Sequence, residues 1–374
     1  MENIICHPQI PFRQMNRREF LIAGTSVALP PRAGDRRLGS LDEDAEDWVA
    51  YQARFIDGDG RVVDTGNGGI SHSAGQGVGL LFATHFADAA VFDRILGWTN
   101  RVLGCREDSL FAWRFIPTET ALSSGIVPDH NNATDGDLFI ACALSRASRR
   151  WGRNDYRRQA TDISKDIRDR LILRHGRRLL LLPGVSGFDA GPEVTINPSY
   201  YLFFALAEVE GLAPSPLWAQ LWTDGLDILS TGRFGRWMLP PDWLVVGQGR
   251  GALKPAPDKP PRFSYDAVLV PLYLAWARLS PPGTMEAIAT FWKSAAGDTA
   301  WIDLRTGDSA GYGPSSGMQA IRQLTETAVD GKVPRSRMPR VSDARDYYSA
   351  TLIMLTRLAW RERALSQPLE LAPI

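Results

Sequence analysis

Carboxylates at helix starts are the residues with the clearest chemical potential in this chain. The run Asn131-Asn132-Ala133-Thr134-Asp135-Gly136-Asp137 is a tight acidic turn leading into a helical pattern that closes on Trp151. Thr134 or Asp135 can cap that helix, where the first backbone N–H groups lack partners. Asp135 and Asp137 are two residues apart, so on a helix they point roughly 200° apart and cannot serve one site together. Capping and compensation of the helix dipole would explain both acids without any catalysis. A third acid, Asp266, lies in Phe263-Ser264-Tyr265-Asp266-Ala267 before another apolar run, and a helix cap is again the plain reading. The Gly-rich run Gly66 to Gly79 has no strand-loop-helix fingerprint beside it, which argues against a nucleotide site.

The elements that would position these residues are helical. The spacing predicts helices over 42–55, 72–87, 90–104, 134–151, 155–173, 197–210, 215–230, 264–279, 284–296, 314–329 and 343–363. In the run that starts at Asp135, Ile140, Leu144, Ala147 and Trp151 form one apolar stripe, with Arg146, Arg149 and Arg150 opposite it. No strand series appears, although Arg178 to Pro183 and Glu193 to Ile196 could form a short hairpin. Such a count of helices without strands predicts an all-α architecture, either a solenoid or a closed ring of helical hairpins. Gly247 to Pro261, rich in Pro and Gly, reads as an exposed loop.

Composition narrows the function. Acids and bases balance at 42 each, which leaves no electrostatic footprint for nucleic acid or an anionic membrane. No C-x-x-C or H-x-x-x-H spacing occurs among three Cys and five His, so neither a metal nor another cofactor is expected. Twelve Trp and nine Tyr fit a core, and flat rings also suit a cleft that stacks on pyranose faces. Residues 1–34 do not read as fold. Arg17-Arg18 precedes a short apolar run, Ile22 to Leu29, broken by Pro30-Pro31, and this is similar to a twin-arginine export signal. That run is too short to span a membrane, which takes about 20 apolar residues. A periplasmic or secreted product is expected, with residues 35–374 as one domain.

Four motifs together resemble glycoside hydrolase family 8, the bacterial endoglucanases, over about Trp48 to Trp360. They are Ala-Thr-Asp-Gly-Asp at 133–137, Ser-His-Ser-Ala-Gly-Gln-Gly at 71–77, Asn-Pro-Ser-Tyr-Tyr at 197–201 and Tyr-Asp-Ala at 265–267. The resemblance implies an (α/α)6 barrel with a long cleft at one end. It implies inverting endo-hydrolysis of β-1,4-glucan, with Asp266 as general base and Asp135 binding and distorting the sugar. It also makes Trp113 a stacking platform and assigns Tyr200, Tyr265 and Gln76 to substrate. Chitosan and xylan are handled within the family too. Relatives of this kind often accompany bacterial cellulose synthesis, which makes cellulose the leading substrate and that machinery a candidate partner. A monomer is expected.

Two positions depart from the family pattern. The family's general acid is a Glu where this chain has Ala74. Its Tyr-Asp-Ala-x-Arg run has Leu269 in the Arg place. Inverting hydrolysis needs two carboxyls about 6.5–9.5 Å apart, one to protonate the leaving oxygen and one to activate water. Ala cannot deliver a proton, and losing that group costs roughly 10²–10⁴-fold in rate. Asp64, Glu119 and Asp129 are the nearby acids that could replace it. The rival function is a glucan-binding protein on the same scaffold without catalysis; an unrelated helical barrel, such as a polysaccharide lyase or a terpenoid-cyclising enzyme, lacks supporting motifs.

Overall fold

The computed structural model describes residues 40–118, 121–249, 253–332 and 336–365. The expected export signal at 1–34 and the candidate acid Glu119 lie outside the described residues. Eleven α-helices among the described residues build an (α/α)6 barrel: α1 (Leu41–Phe55), α2 (Ser73–His85), α3 (Ala89–Val102), α4 (Thr134–Trp151), α5 (Asn154–Arg170), α6 (Phe203–Leu212), α7 (Leu217–Thr231), α8 (Leu269–Ala277), α9 (Thr284–Lys293), α10 (Ser316–Asp330) and α11 (Tyr347–Leu365).

Two helix types alternate for a physical reason. The runs GVGLLFAT in α2, LFIACAL in α4 and VPLYLAWA in α8 are largely apolar all round, as is ATLIMLTRLA in α11 apart from Thr351, Thr356 and Arg357, and all four are buried on nearly every side. They form the inner layer with α6. The outer helices are amphipathic. In α1, Asp44, Asp47, Trp48, Tyr51 and Phe55 face inward, and Ser40 and Glu43 form a capping box at its start. α2 packs on α4, α4 on α6, α6 on α8 and α8 on α11. One continuous core runs from Trp48 to Ala359.

The α2–α4 contact decides where the site falls. A Cβ on Gly77 would lie 2.6 Å from Phe139 Cβ and 2.9 Å from Ile140 N, and one on Gly136 would lie 2.7 Å from Ala74 N. Only glycine lets these two backbones approach so closely. The start of α2 is thereby pressed against the start of α4.

Several expectations are corrected. α4 carries no side-chain cap: Ala133 is its N-cap, and the Thr134 hydroxyl instead donates to the Leu182 carbonyl at 2.6 Å. Its single stripe is replaced by burial all round from Gly136 to Ser145, because α4 is an inner helix. Arg146 and Arg149 pair with Glu208, and Arg146 also reaches Glu362 at 2.6 Å. The expected hairpin does not form. Instead β5 (Arg178–Leu181) pairs with β4 (Ile172–His175), and β6 (Glu193–Ile196) pairs with β7 (Leu244–Gly247). β7 is extended in turn by β8 (Leu253–Pro255), inside the segment read as a loop. The remaining strands are short: β1 (Ser71–His72) pairs with β2 (Arg114–Thr118), β2 with β3 (Ala121–Ile126), and β9 (Arg262–Phe263) with β10 (Ile302–Asp303). The helix expected over 197–210 is split: Asn197 caps a single 3₁₀ turn, Pro198–Tyr200, before α6 begins.

Candidate active site

Ala74 is the second residue of α2, is partly exposed, and lies beside the start of α4. The turn around it is closely held. His72 caps the helix, its Nδ1 accepting from Gly75 N at 2.9 Å. A Cβ on Gly75 would lie 2.7 Å from the Tyr347 hydroxyl. Asp135 stands beside this turn through the Gly136 contact. One of its oxygens, Oδ1, is buried without a hydrogen-bond partner. Burial raises its proton affinity, while the Gly136 N–H at the helix start, His72 and the Tyr200 phenol favour the charged form. Asp137 does point elsewhere. Its oxygens accept from Phe111 N at 2.9 Å and Asn132 Nδ2 at 2.8 Å inside the core. Of these two acids, only Asp135 addresses the cleft.

Asp266 lies in the turn just before α8, not inside a helix. Ser264 to Val268 make local turn bonds, and α8 begins at Leu269 with no side-chain cap. The Asp266 carboxyl is therefore free of a capping role. Asn197 and the Trp243 indole face it and favour its charge, but burial together with Asp242 and Asp135 raises its proton affinity well above the ordinary carboxylate range. The amide nitrogen of Asn197 is itself buried and without a regular hydrogen bond. Asp135, Asp266, Tyr200 and Tyr273 all face one another electrostatically, and Tyr347 and Tyr348 border them from α11. One buried acceptor without a regular hydrogen bond, Asp135 Oδ1, thus stands among tyrosines, while the Asn197 amide is turned to Asp266. Hydroxyl-rich ligands complete such sites.

The other expected residues divide. Tyr200 stands at the cleft end, in edge contact with Trp243. Trp113 is half-buried and bonded into the site's frame: its carbonyl accepts from Ser73 N at 3.0 Å, and its indole donates to Asp129 at 2.8 Å. The Arg114 guanidinium lies 4.3 Å from its ring centroid, over the ring. Tyr265 is 43% exposed and bonds the Tyr312 hydroxyl at 2.7 Å, making an aromatic rim. Gln76 is corrected. It is fully buried, accepting from Val62 N and donating to Gly60 O and Thr99 Oγ1, so it has no group left for substrate.

Of the possible replacement acids, Asp129 is held below the usual range by Asn131 N and Trp113, the wrong direction for a proton donor. Asp64 Oδ2 lies 3.6 Å from His72 Nε2, beside the Ala74 turn. Asp242, Trp243 and Tyr273 carry no role in the sequence reading, and Asn197 enters it only as the first residue of the Asn-Pro-Ser-Tyr-Tyr motif. The Pro-Pro-Asp-Trp run at 240–243 was the available signal for two of them.

A helical barrel that gathers paired carboxylates and aromatic rings at one end defines a glycoside-hydrolase type of protein. The comparisons specify it. The family model "Glycosyl hydrolases family 8" matches residues 40–362, and the chain belongs to that family. A probable endoglucanase of Novacetimonas hansenii is 40% identical over 87% of this chain and 93% of its own length. An endoglucanase of Cellulomonas uda is 33% identical over 82% of this chain and 81% of its own. The endo-β-1,4-glucanase CMCax structure from Acetobacter xylinum superimposes with a TM-score of 0.80 at 40% identity, covering 87% of this chain and all of that one.

Proposed function

We propose that this protein acts on β-1,4-glucan, cellulose first, by inverting endo-hydrolysis at a cleft whose proton donor has been lost. The meeting of Asp135, Asp266 and the tyrosines in one basin carries this reading. Asp135 binds the sugar that reacts. Asp266 takes a proton from water as that water attacks the anomeric carbon, and the anomeric configuration inverts. The leaving oxygen meets the Ala74 methyl group where an acid is needed, so turnover of ordinary glucosides is slow. The test is Ala74→Glu, assayed by reducing-sugar release from carboxymethylcellulose with NMR of the fresh product. A gain of roughly 10²-fold or more with inverted product is expected, the usual worth of a positioned general acid. High activity before substitution would overturn the role of Ala74 and point to Asp64.

Ala74 and Leu269 also favour a second reading, a glucan-binding protein without catalysis. Tight cellohexaose binding by both forms, with no hydrolysis by either, would establish it over the first.

Export by the twin-arginine route fits the Arg17-Arg18 run and a substrate found outside the cytoplasm. Arg17→Lys with Arg18→Lys should abolish recovery in the periplasmic fraction, and unchanged recovery would remove the idea. Association with a cellulose-synthesis assembly, as a monomer, is the arrangement we favour for the exported protein.

A further inference from the structure

Asp242 belongs to no motif that the reaction above uses, yet it holds the turn that carries the base. A single oxygen, Oδ1, accepts from Ser264 N at 3.0 Å, Asp266 N at 3.2 Å and Ala267 N at 2.8 Å. Its own N–H donates to the Arg262 carbonyl at 2.8 Å, which ties both ends of the arrangement to the β9 strand. Three donors converging on one oxygen are what a carboxylate satisfies best. The next residue, Trp243, turns its indole toward Asp266. The Asp242–Trp243 pair thus holds the base through both its backbone N–H and its carboxyl.

We propose that Asp242 is a positioning residue for Asp266: its carboxylate fixes the 264–267 turn, and its negative charge makes Asp266 a stronger acceptor for the proton of the attacking water. The proposal rests on the reading of Asp266 as the base.

The charged surroundings decide the sign. Asp266 is faced by Asp242 from the segment before β7, by Asp135 from α4, by Tyr200 from the 3₁₀ turn, by Tyr273 from α8 and by Tyr348 from α11. Among the groups that act on it most strongly there is no cation. Burial raises the proton affinity of Asp242 itself, to a pKa of about 6, against the N–H groups of Ala267, Ser264 and Asp266 and, last, Arg262, so Asp242 is charged at neutral pH and above. Leu269 supplies nothing at the place where the family has Arg. The like charge of Asp242 therefore raises the affinity of Asp266 for a proton. A base of raised affinity takes the water's proton more readily once it is itself ionised, and needs a higher pH to become so.

β-Cellobiosyl fluoride isolates this step. Water attacks the anomeric carbon, the C–F bond breaks, fluoride leaves unprotonated, and Asp266 receives the water's proton, so Ala74 is not called upon. Asp242→Asn keeps an oxygen for the three N–H groups and removes the charge. Its acid limb should move down by on the order of one pH unit, the usual effect of losing a neighbouring like charge. Below the parent's limb the variant should be faster, and on the high-pH plateau slower. Asp242→Ala, which also frees the turn, should be slow at every pH. A purely structural Asp242 would show no crossing of the two profiles, and that result overturns the proposal.

A second readout does not depend on turnover. Carboxyl-carbon NMR of Asp-labelled protein, with Asp266→Asn to assign the signal, follows the titration of Asp266 directly. A lowered Asp266 midpoint in Asp242→Asn sustains the proposal even if the fluoride is not hydrolysed, in which case the hydrolase reading fails alone. An unmoved midpoint sinks the proposal while leaving that reading intact.

Discussion

On the function proposed above, two single residues, Ala74 and Leu269, act on the two halves of one proton path. Ala74 removes the donor to the leaving group. Leu269 removes the cation that would keep Asp266 ionised. Leu269 is the first residue of α8, partly buried against the core, and its N–H donates to the Asp266 carbonyl at 2.9 Å. An Arg side chain there starts one helical turn from the carboxyl. A cation so placed lowers the proton affinity of Asp266, so its charged form persists at lower pH. Adding Leu269→Arg to Ala74→Glu should move the acid limb of carboxymethylcellulose hydrolysis downward and raise the rate at neutral pH. A pH profile identical to that of Ala74→Glu alone would show that the guanidinium does not reach the base. The change replaces an apolar contact, so some loss of stability accompanies it, of the order of 1–3 kcal/mol.

At the scale of elements, what was legible depended on whether the signal was local. The spacing placed α4 at its observed limits, since Gly152 follows Trp151 in the left-handed conformation that ends a helix. Most other helices matched within a few residues because their apolar spacing is likewise local. The split before α6 and the late start of α8 were not legible as such, because each depends on distant partners. Asn197 and Pro198 end one pattern locally, but the turn at 264–268 is held by Asp242, more than twenty residues earlier. The strand pairs failed likewise: β6 finds β7 about fifty residues away, and no hairpin rule anticipates that. For the site, the Asp135–Asp137 divergence followed from helix geometry alone. Gln76 was misassigned because it shares a motif with Ala74, which is partly exposed, while Gly75 and Gln76 after it are buried. On a helix, one step of 100° separates a cleft position from a core position. Asp242 was missed because its function lies in backbone N–H groups that carry no sequence signature.

Over the whole molecule, the described chain begins and ends against itself. α1 opens the described barrel and α11 completes it, and the two are joined by a buried ionic cluster. Arg357 Nε donates to Asp44 at 2.7 Å, Arg361 Nε reaches the other Asp44 oxygen at 2.8 Å, and Arg340 Nε meets Asp47 at 3.0 Å. Asp44, Asp47 and Arg357 are each no more than 5% exposed, so none of them can turn to solvent for compensation. Arg357 lies ten residues along α11 from Tyr347, about 15 Å of helix, so the cleft is not in contact with the cluster. Arg357→Met keeps the bulk and removes the charge. Leaving the two acids underpaired should cost about 3–5 kcal/mol, the usual penalty for breaking a buried pair from one side. The pH dependence follows from Asp47, whose proton affinity burial already raises despite Arg340 and Arg357. Without Arg357 that affinity rises further in the folded state only. A folded acid that holds its proton more tightly than the unfolded chain stabilises the fold below the ordinary carboxylate pKa, and that stabilisation is lost as pH rises through the folded value. The deficit of Arg357→Met should therefore be smaller at about pH 4–5 than at neutral pH, the window set by the ordinary and raised values of an Asp. Thermal unfolding of parent and variant at both pH values measures this, and cellohexaose affinity should stay the same in each. Equal unfolding of the two proteins at neutral pH would mean that apolar packing alone closes the barrel.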